Sequence, residues 1–282
     1  MPETQAFSTK QATWTPPTGT LGELVTASLV RAERQAGEAE FWKTKALAVS
    51  PTPSLRAALL RSTVGLIAEI KRRSPSRGVI RDTIDAGDRA RIYAGAGAAA
   101  ISVLTEPDRF GGSVDDLDRA ASAVQVPVLR KDFIVAPVQL YHARALGASA
   151  ALLIARALSP DRLRTLHDAA TAIGLEILVE VRNEAELELA LEIGASVVGV
   201  NNRNLETLVI ESGTAERIVP LIPRGVVAVA ESGMSGRDDV LEAAAFGADA
   251  VLVGSAVSAA DDAPRLVREL TGVRVERDAR PD

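Results

Sequence analysis

Apolar residues recur in two rhythms along this chain. Short runs of Val, Ile, Leu and Ala occur at 65–71, 98–104, 126–131, 149–155, 175–181, 196–201, 225–230 and 249–254. Their length and β-branched content mark strands. Their nearly unbroken apolarity marks strands covered on both faces, as in a parallel sheet. Between them lie stretches rich in Ala, Leu, Glu and Arg, such as Glu184–Glu192 and Arg237–Phe246, that read as helices. Gly147, Gly174, Gly194 and Gly247 stop four of these just before the next strand, as glycine does at helix C-termini. From Glu69 to Gly254 is 185 residues in seven strand-to-strand steps, about 26 per step, a sensible βα unit. Eight units in series predict an α/β fold, a single (β/α)8 TIM barrel over 61–272. An open doubly wound sheet is the competitor, but it gives no reason for polar residues at the ends of so many strands.

The flanks read differently. Residues 1–19, with Pro16 and Pro17, read as a flexible arm. Residues 20–60 form a helical extension, helical over 20–48 on an irregular stripe of Leu21, Leu24, Val25, Leu29 and Val30. Pro51 and Pro53 then break the pattern, and Ser54–Arg61 forms a short helix before the first strand. Phe41 and Trp42 either anchor this extension on the barrel or help close one end over a ligand; anchoring is favoured. The tail over 273–282 is charged and expected to fray.

Several strand ends carry charge, which changes the picture. The first reads I-A-E-I-K, so Glu69 and Lys71 share a face, with Ser74 beyond. The third ends in Lys131 and Phe133, two apart. The fifth places Glu180 alone among aliphatics, the sixth carries Asn201 and Arg203, and the seventh ends in Glu231, Ser232 and Gly233. In this fold the C-terminal strand ends build the active site. A purely structural ion network is the bland alternative. A pair at close range gains about 4 kcal/mol at an effective dielectric near 20, while desolvation costs several kcal/mol per ion. Stability alone therefore explains the set poorly. Gly233 together with Gly254 and Ser255 fits the phosphate site that follows the seventh and eighth strands, although each glycine alone could be an ordinary turn.

Composition narrows the chemistry. The chain has 282 residues, 47% hydrophobic and 24% charged, with a net charge of -5. Nothing there suggests a nucleic-acid surface. It has no cysteine, and its two histidines, His142 and His167, fall in helical patterns. Cysteine nucleophiles, thiolate metal sites and multi-histidine metal sites therefore have little to draw on. No signal peptide and no apolar run of membrane-spanning length stand out, so a cytoplasmic protein is expected.

At these positions the chain resembles the indole-3-glycerol phosphate synthases of tryptophan biosynthesis. The matching stretches are I-A-E-I-K-R-R-S-P-S-R-G (67–78), I-S-V-L-T-E (101–106) with F-G-G-S (110–113), and V-P-V-L-R-K-D-F-I-V (126–135). They continue with L-V-E-V (178–181), V-G-V-N-N-R-N-L (198–205), A-E-S-G (230–233) and G-A-D-A-V-L-V-G (247–254). They run in order over about 54–272, and it is the combination that is specific, since A-E-S-G and G-A-D-A recur in other phosphate-binding barrels. The resemblance implies a (β/α)8 barrel with an N-terminal helical extension, acting without metal or cofactor. It implies a carboxy-lyase that closes the ring of 1-(2-carboxyphenylamino)-1-deoxyribulose 5-phosphate, releasing carbon dioxide and water. Its only expected partner is that phosphorylated small molecule, with no membrane or nucleic acid, and a monomer is expected.

By the same resemblance, Lys131 is the general acid at the ribulose carbonyl, with Lys71 a second candidate, and Glu180 the acid/base of the dehydration. Glu69 and Asn201 orient groups around the closing ring. Lys71 and Arg203 hold the substrate's carboxylate or phosphate, and Glu231 and Ser232 contact ribulose hydroxyls. Gly233, Gly254 and Ser255 bind phosphate with Ser74 close by, while Phe110, Phe133 and Leu205 line the anthranilate pocket. The chain departs from the family pattern at Ala136, Val138 and Val209–Ser212, and its first 50 residues match only weakly. Two rivals stand against this reading. Phosphoribosylanthranilate isomerase uses a Cys base, which this chain lacks. A catalytically silent paralogue binding a phosphorylated ligand or a protein would have no need of both Lys131 and Glu180.

Overall fold

Eight parallel strands close on one another in sequence order: β1 (Gly65–Ile70), β2 (Ala100–Leu104), β3 (Val128–Lys131), β4 (Ala150–Ile154), β5 (Glu176–Val181), β6 (Val197–Asn201), β7 (Val227–Glu231) and β8 (Ala250–Val253), with β8 pairing back onto β1. The computed structural model describes residues 14–282. It is the expected (β/α)8 barrel, and each strand falls inside or within a residue of its apolar run. The strands are buried almost throughout, because helices cover their outer face and side chains fill the interior. The helices start on the chemistry the sequence offers. Asp85, Ser113, Ser159 and Asn183 each accept a hydrogen bond from a backbone N–H of the turn they cap. Gly147, Gly174, Gly194 and Gly247 all have positive φ (84°, 66°, 80° and 95°), as a left-handed helix stop requires. No helix among the described residues is long and apolar enough to cross a membrane.

The N-terminal extension is two helices rather than one. A 3-10 turn at Ala36–Glu38 separates α1 (Gly19–Gln35) from α2 (Ala39–Ala48), where Gly37 weakens the helix. Of the two adjacent aromatics, Trp42 anchors: its ring stacks on His142, centroids 4.1 Å apart, while Phe41 stays 54% exposed. The arm expected over 1–19 lies mostly outside the described residues.

The tail is not frayed. Val64 N–H donates to Val273 O, Thr63 pairs with Arg274, and Val275 N–H donates to Ser62 O. Arg277 and Arg280 both reach Asp249, at 2.6 and 2.7 Å, and Arg280 is buried. The reason is Asp249 itself. It is fully buried at the start of β8, where a carboxylate needs a cation, and the tail supplies two.

Candidate active site

At the C-terminal end of β1, Lys71 Nζ lies 3.0 Å from Glu69 Oε1, the same-face pairing their spacing predicts. Ser258 fixes this strand end: its hydroxyl donates to Glu69 O (2.9 Å) and accepts from Lys71 N–H (3.2 Å). Gly254 is there for room, because a Cβ at that position would collide with the Glu69 carboxylate.

Across the rim, Lys131 Nζ sits between two carboxylates, 3.3 Å from Glu180 Oε2 and 3.4 Å from Glu231 Oε2. Register brings them together: Ile154 pairs with Glu180, Glu180 with Gly199, and Asn201 with Glu231. Gly199 makes space for Glu231 Oε1 as Gly254 does for Glu69. That oxygen is buried with no hydrogen-bond partner among the described residues. Burial pushes the Glu231 carboxyl up against the opposing pull of Lys131, and the Glu180 and Glu69 charges push it further. Burial alone would lower the Lys131 ammonium, but Glu231, Glu180 and Glu69 outweigh it and raise it. The cluster thus holds its protons tightly and is poised for acid–base work.

These groups face a cleft of about 230 Å³. Every residue picked out from the sequence lines it except Glu180, which stands behind Lys131 and borders a separate chamber instead. Phe110 and Phe133 form one apolar wall, ring centroids 6.1 Å apart, with Leu205 also on the lining. Ser74, Gly233, Gly254 and Ser255 are also on the lining. Asn201 Oδ1 accepts from Arg203 N–H (2.9 Å), and the Arg203 guanidinium donates to Leu208 O (2.9 Å). Ser232 and Leu208, both on the lining, hold φ of 66° and 65° and are the only non-glycine residues with positive φ among those described. Such strain, of order 1–3 kcal/mol each, gathers at functional sites.

Some contributors were not legible in the sequence. Leu24 of α1 lines the cleft, so the extension completes the wall. Ser28 donates to Phe133 O and accepts from Gln139 Nε2 (2.9 Å), pinning α1 to the segment two residues beyond β3. Glu106, fully buried, accepts from the amides of Asp108, Arg109 and Phe110 at 2.7–3.0 Å and so shapes the loop that presents Phe110. Arg77 also lines the cleft, and burial first, then its charge, lowers Arg203. A capping-style acid before a turn could have flagged Glu106; nothing in the one-dimensional pattern flags Ser28.

A closed parallel barrel with its acid–base groups at the C-terminal strand ends defines the class: a (β/α)8 barrel enzyme. The family model for indole-3-glycerol phosphate synthase matches residues 25–270. An indole-3-glycerol phosphate synthase of Rhodococcus jostii is 47% identical over 245 residues, covering 86% of this chain and 91% of its own. One from a Nocardioides species is 52% identical over 223 residues, covering 79% and 84%. The chain belongs to the indole-3-glycerol phosphate synthase family. Among solved structures, 3-hexulose-6-phosphate synthase of Salmonella typhimurium superposes with a TM-score of 0.60 at 17% identity, covering 73% of this chain and 96% of that one. Thiamine phosphate pyrophosphorylase of Pyrococcus furiosus gives 0.57 at 19%, covering 77% and 96%. At these identities the likeness is one of fold.

Proposed function

We propose that Lys131 protonates the ribulose carbonyl oxygen of 1-(2-carboxyphenylamino)-1-deoxyribulose 5-phosphate as the aromatic ring carbon attacks, and that Glu180 acts as the general acid/base in the dehydration. The activity is that of an indole-3-glycerol phosphate synthase, a decarboxylating lyase of tryptophan biosynthesis. The observation that carries the residue assignment is the placement of Lys131 Nζ within 3.4 Å of both Glu180 and Glu231 at the mouth of the barrel. Attack on the carbonyl builds negative charge on oxygen, and an ammonium positioned there neutralises it; such help is worth about 100- to 10,000-fold. Lys71, paired to Glu69 on the neighbouring wall, is the second acid candidate and holds the substrate carboxylate with Arg203. Asn201 orients Arg203 through its backbone, and Glu231 and Ser232 meet the ribulose hydroxyls. Gly233, Gly254, Ser255 and Ser74 surround the phosphate, supported by Arg77 nearby. Phe110, Phe133 and Leu205 receive the anthranilate ring. We place the enzyme in the cytoplasm, with its biosynthetic activity, and read it as a monomer because its own N-terminal helix completes the cleft wall through Leu24.

The test is the appearance of indole fluorescence on mixing enzyme with the carboxyphenylamino-ribulose phosphate, repeated with Lys131→Ala. Near wild-type turnover by that variant would refute Lys131 as the acid.

A further inference from the structure

Behind Glu180, on the side away from the substrate cleft, lies a second chamber of about 300 Å³. Ile154 and Leu205 line both spaces and form the partition; Leu21 of α1, almost fully buried, also borders the chamber. The chamber reaches the surface beside Glu211 and Arg217, whose side chains are 57% and 50% exposed. Its charged lining is largely self-paired: Arg156 with Glu206, Arg182 with Glu211, and Arg217 with Glu184 at its edge. Glu180 is engaged by Lys131. That leaves Glu186 as the one carboxyl of the lining with no ion-pair partner among the described residues. It accepts from Arg182 N–H and Asn183 Nδ2, each at 2.8 Å.

The chemistry calls for such a route. The carbonyl oxygen leaves as water and the substrate carboxylate leaves as carbon dioxide. The electrons of the broken C–C bond stay in the ring, and the carboxylate's negative charge has to be discharged. Each turnover therefore takes up one proton from solvent, beyond those the site recycles. A substrate filling the main cleft, whose wall α1 completes, would block the direct path. We propose that this rear chamber is the proton-uptake path of the enzyme, with Glu186 relaying protons from solvent to the Glu180–Lys131 pair. The path also lets product water out. Glu186 touches no substrate and acts only through Glu180, so the inference rests on the assignment of Glu180 as the acid/base. Burial first, opposed by hydrogen bonds from the Arg182 amide and Asn183 and reinforced by the Glu180 charge, raises the Glu186 carboxyl above the ordinary carboxylate value.

Glu186 also sits in a reciprocal cap with Asn183 at the start of the Glu184–Glu192 helix, and a structural role has to be separated from a relay. Glu186→Gln does so once paired with Asn183→Ala, which removes the cap alone: the Gln amide oxygen still accepts the Arg182 N–H but loses the Asn183 Nδ2 contact and carries no exchangeable acid, so only losses beyond those of Asn183→Ala belong to the relay. Expected are a roughly tenfold fall in kcat at pH 7.5–8 with KM unchanged, a larger solvent deuterium isotope effect on kcat, and saturable rescue of kcat by imidazole; the fall is smaller than the 100- to 10,000-fold of a group that exchanges a proton with substrate, because Glu186 only supplies protons to Glu180. Unchanged kcat and isotope effect, or a loss that no small diffusible acid restores, would overturn the relay. Glu180→Gln, run alongside, separates the two layers. If it turns over normally, the assignment of Glu180 falls and the relay with it. If it is inactive while Glu186→Gln behaves as wild type, only the relay falls.

Discussion

A lysine wedged between two carboxylates is costly to build unless it does something. Burying Lys131 with Glu180 and Glu231 gains little net stability over a well-packed apolar trio. Lys131→Ala should therefore lose about 1,000-fold or more in kcat, as removal of a general acid predicts. It should keep the wild-type far-UV circular dichroism but melt lower, because Glu180 and Glu231 are left buried without their cation, a loss of about 3–5 kcal/mol that a denaturant melt checks. The vacancy at Gly199 belongs to the same arrangement, since any Cβ there meets Glu231 Oε1 and Leu178. Gly199→Ala should displace the Glu231 carboxylate and reduce kcat/KM by 10- to 100-fold, read by steady-state kinetics, with a smaller effect on folding. Glu231 also sets a pH dependence. Its carboxyl is raised when folded, to about 8, so the folded state holds that proton more tightly than the unfolded chain. Its contribution to stability is present below the ordinary carboxylate range and is lost as pH rises from there through about 8. Glu231→Gln should flatten the decline in the thermal midpoint between pH 5 and 8; an unchanged slope would mean another group carries it.

At the scale of elements, α1 does two jobs. It adds Leu24 to the cleft wall, and through Ser28 it holds the backbone of Phe133. Ser28→Ala would leave Phe133 O and the Gln139 amide buried without that partner. The expected cost is about 1–3 kcal/mol in denaturant melts, with a several-fold rise in KM because Phe133 loosens. These contacts also show where a sequence stops being legible. Apolar runs and helix-stopping glycines located all eight strands, because each signal is local: period, length and a required φ. The pairs Glu69/Lys71 and Asn201/Arg203 were legible for the same reason, since two residues apart on a strand is a geometric statement. The α1–Phe133 contact joins residues 105 positions apart, and nothing in either segment's composition points to the other. Glu180 was found as an acid on a strand end, but which of two chambers it faces depends on the packing of Ile154 and Leu205. The tail was misread for a related reason: a charged segment reading V-R-V-E-R-D-A-R-P-D looks solvated until Asp249 is known to lie buried beneath it.

Across the whole molecule, function and stability occupy opposite ends of the same strands. Asp249 immediately precedes β8 and Gly254 immediately follows it, about 16 Å away at 3.3 Å per residue. The upper end carries the strained residues, the uncompensated Glu231 oxygen and the lysines. The lower end is closed by Asp249, which accepts from Ala228 N–H (3.0 Å) and pairs with Arg277 and Arg280. Barrels of this kind tolerate strain at the catalytic face because the other face is held. Ending the chain at Gly272 removes both arginines and leaves a fully buried carboxylate without a cation. Breaking a buried pair in this way costs about 3–5 kcal/mol. The truncated enzyme should melt well below the full chain yet keep kcat/KM within about twofold at 20 °C. Combined with Lys131→Ala, the two effects should add to within about 0.5 kcal/mol in stability, since they share no partner. A truncation that lowered kcat at a temperature where the barrel is still folded would show that the lower end sets the geometry of the upper one, and that the two faces are not independent.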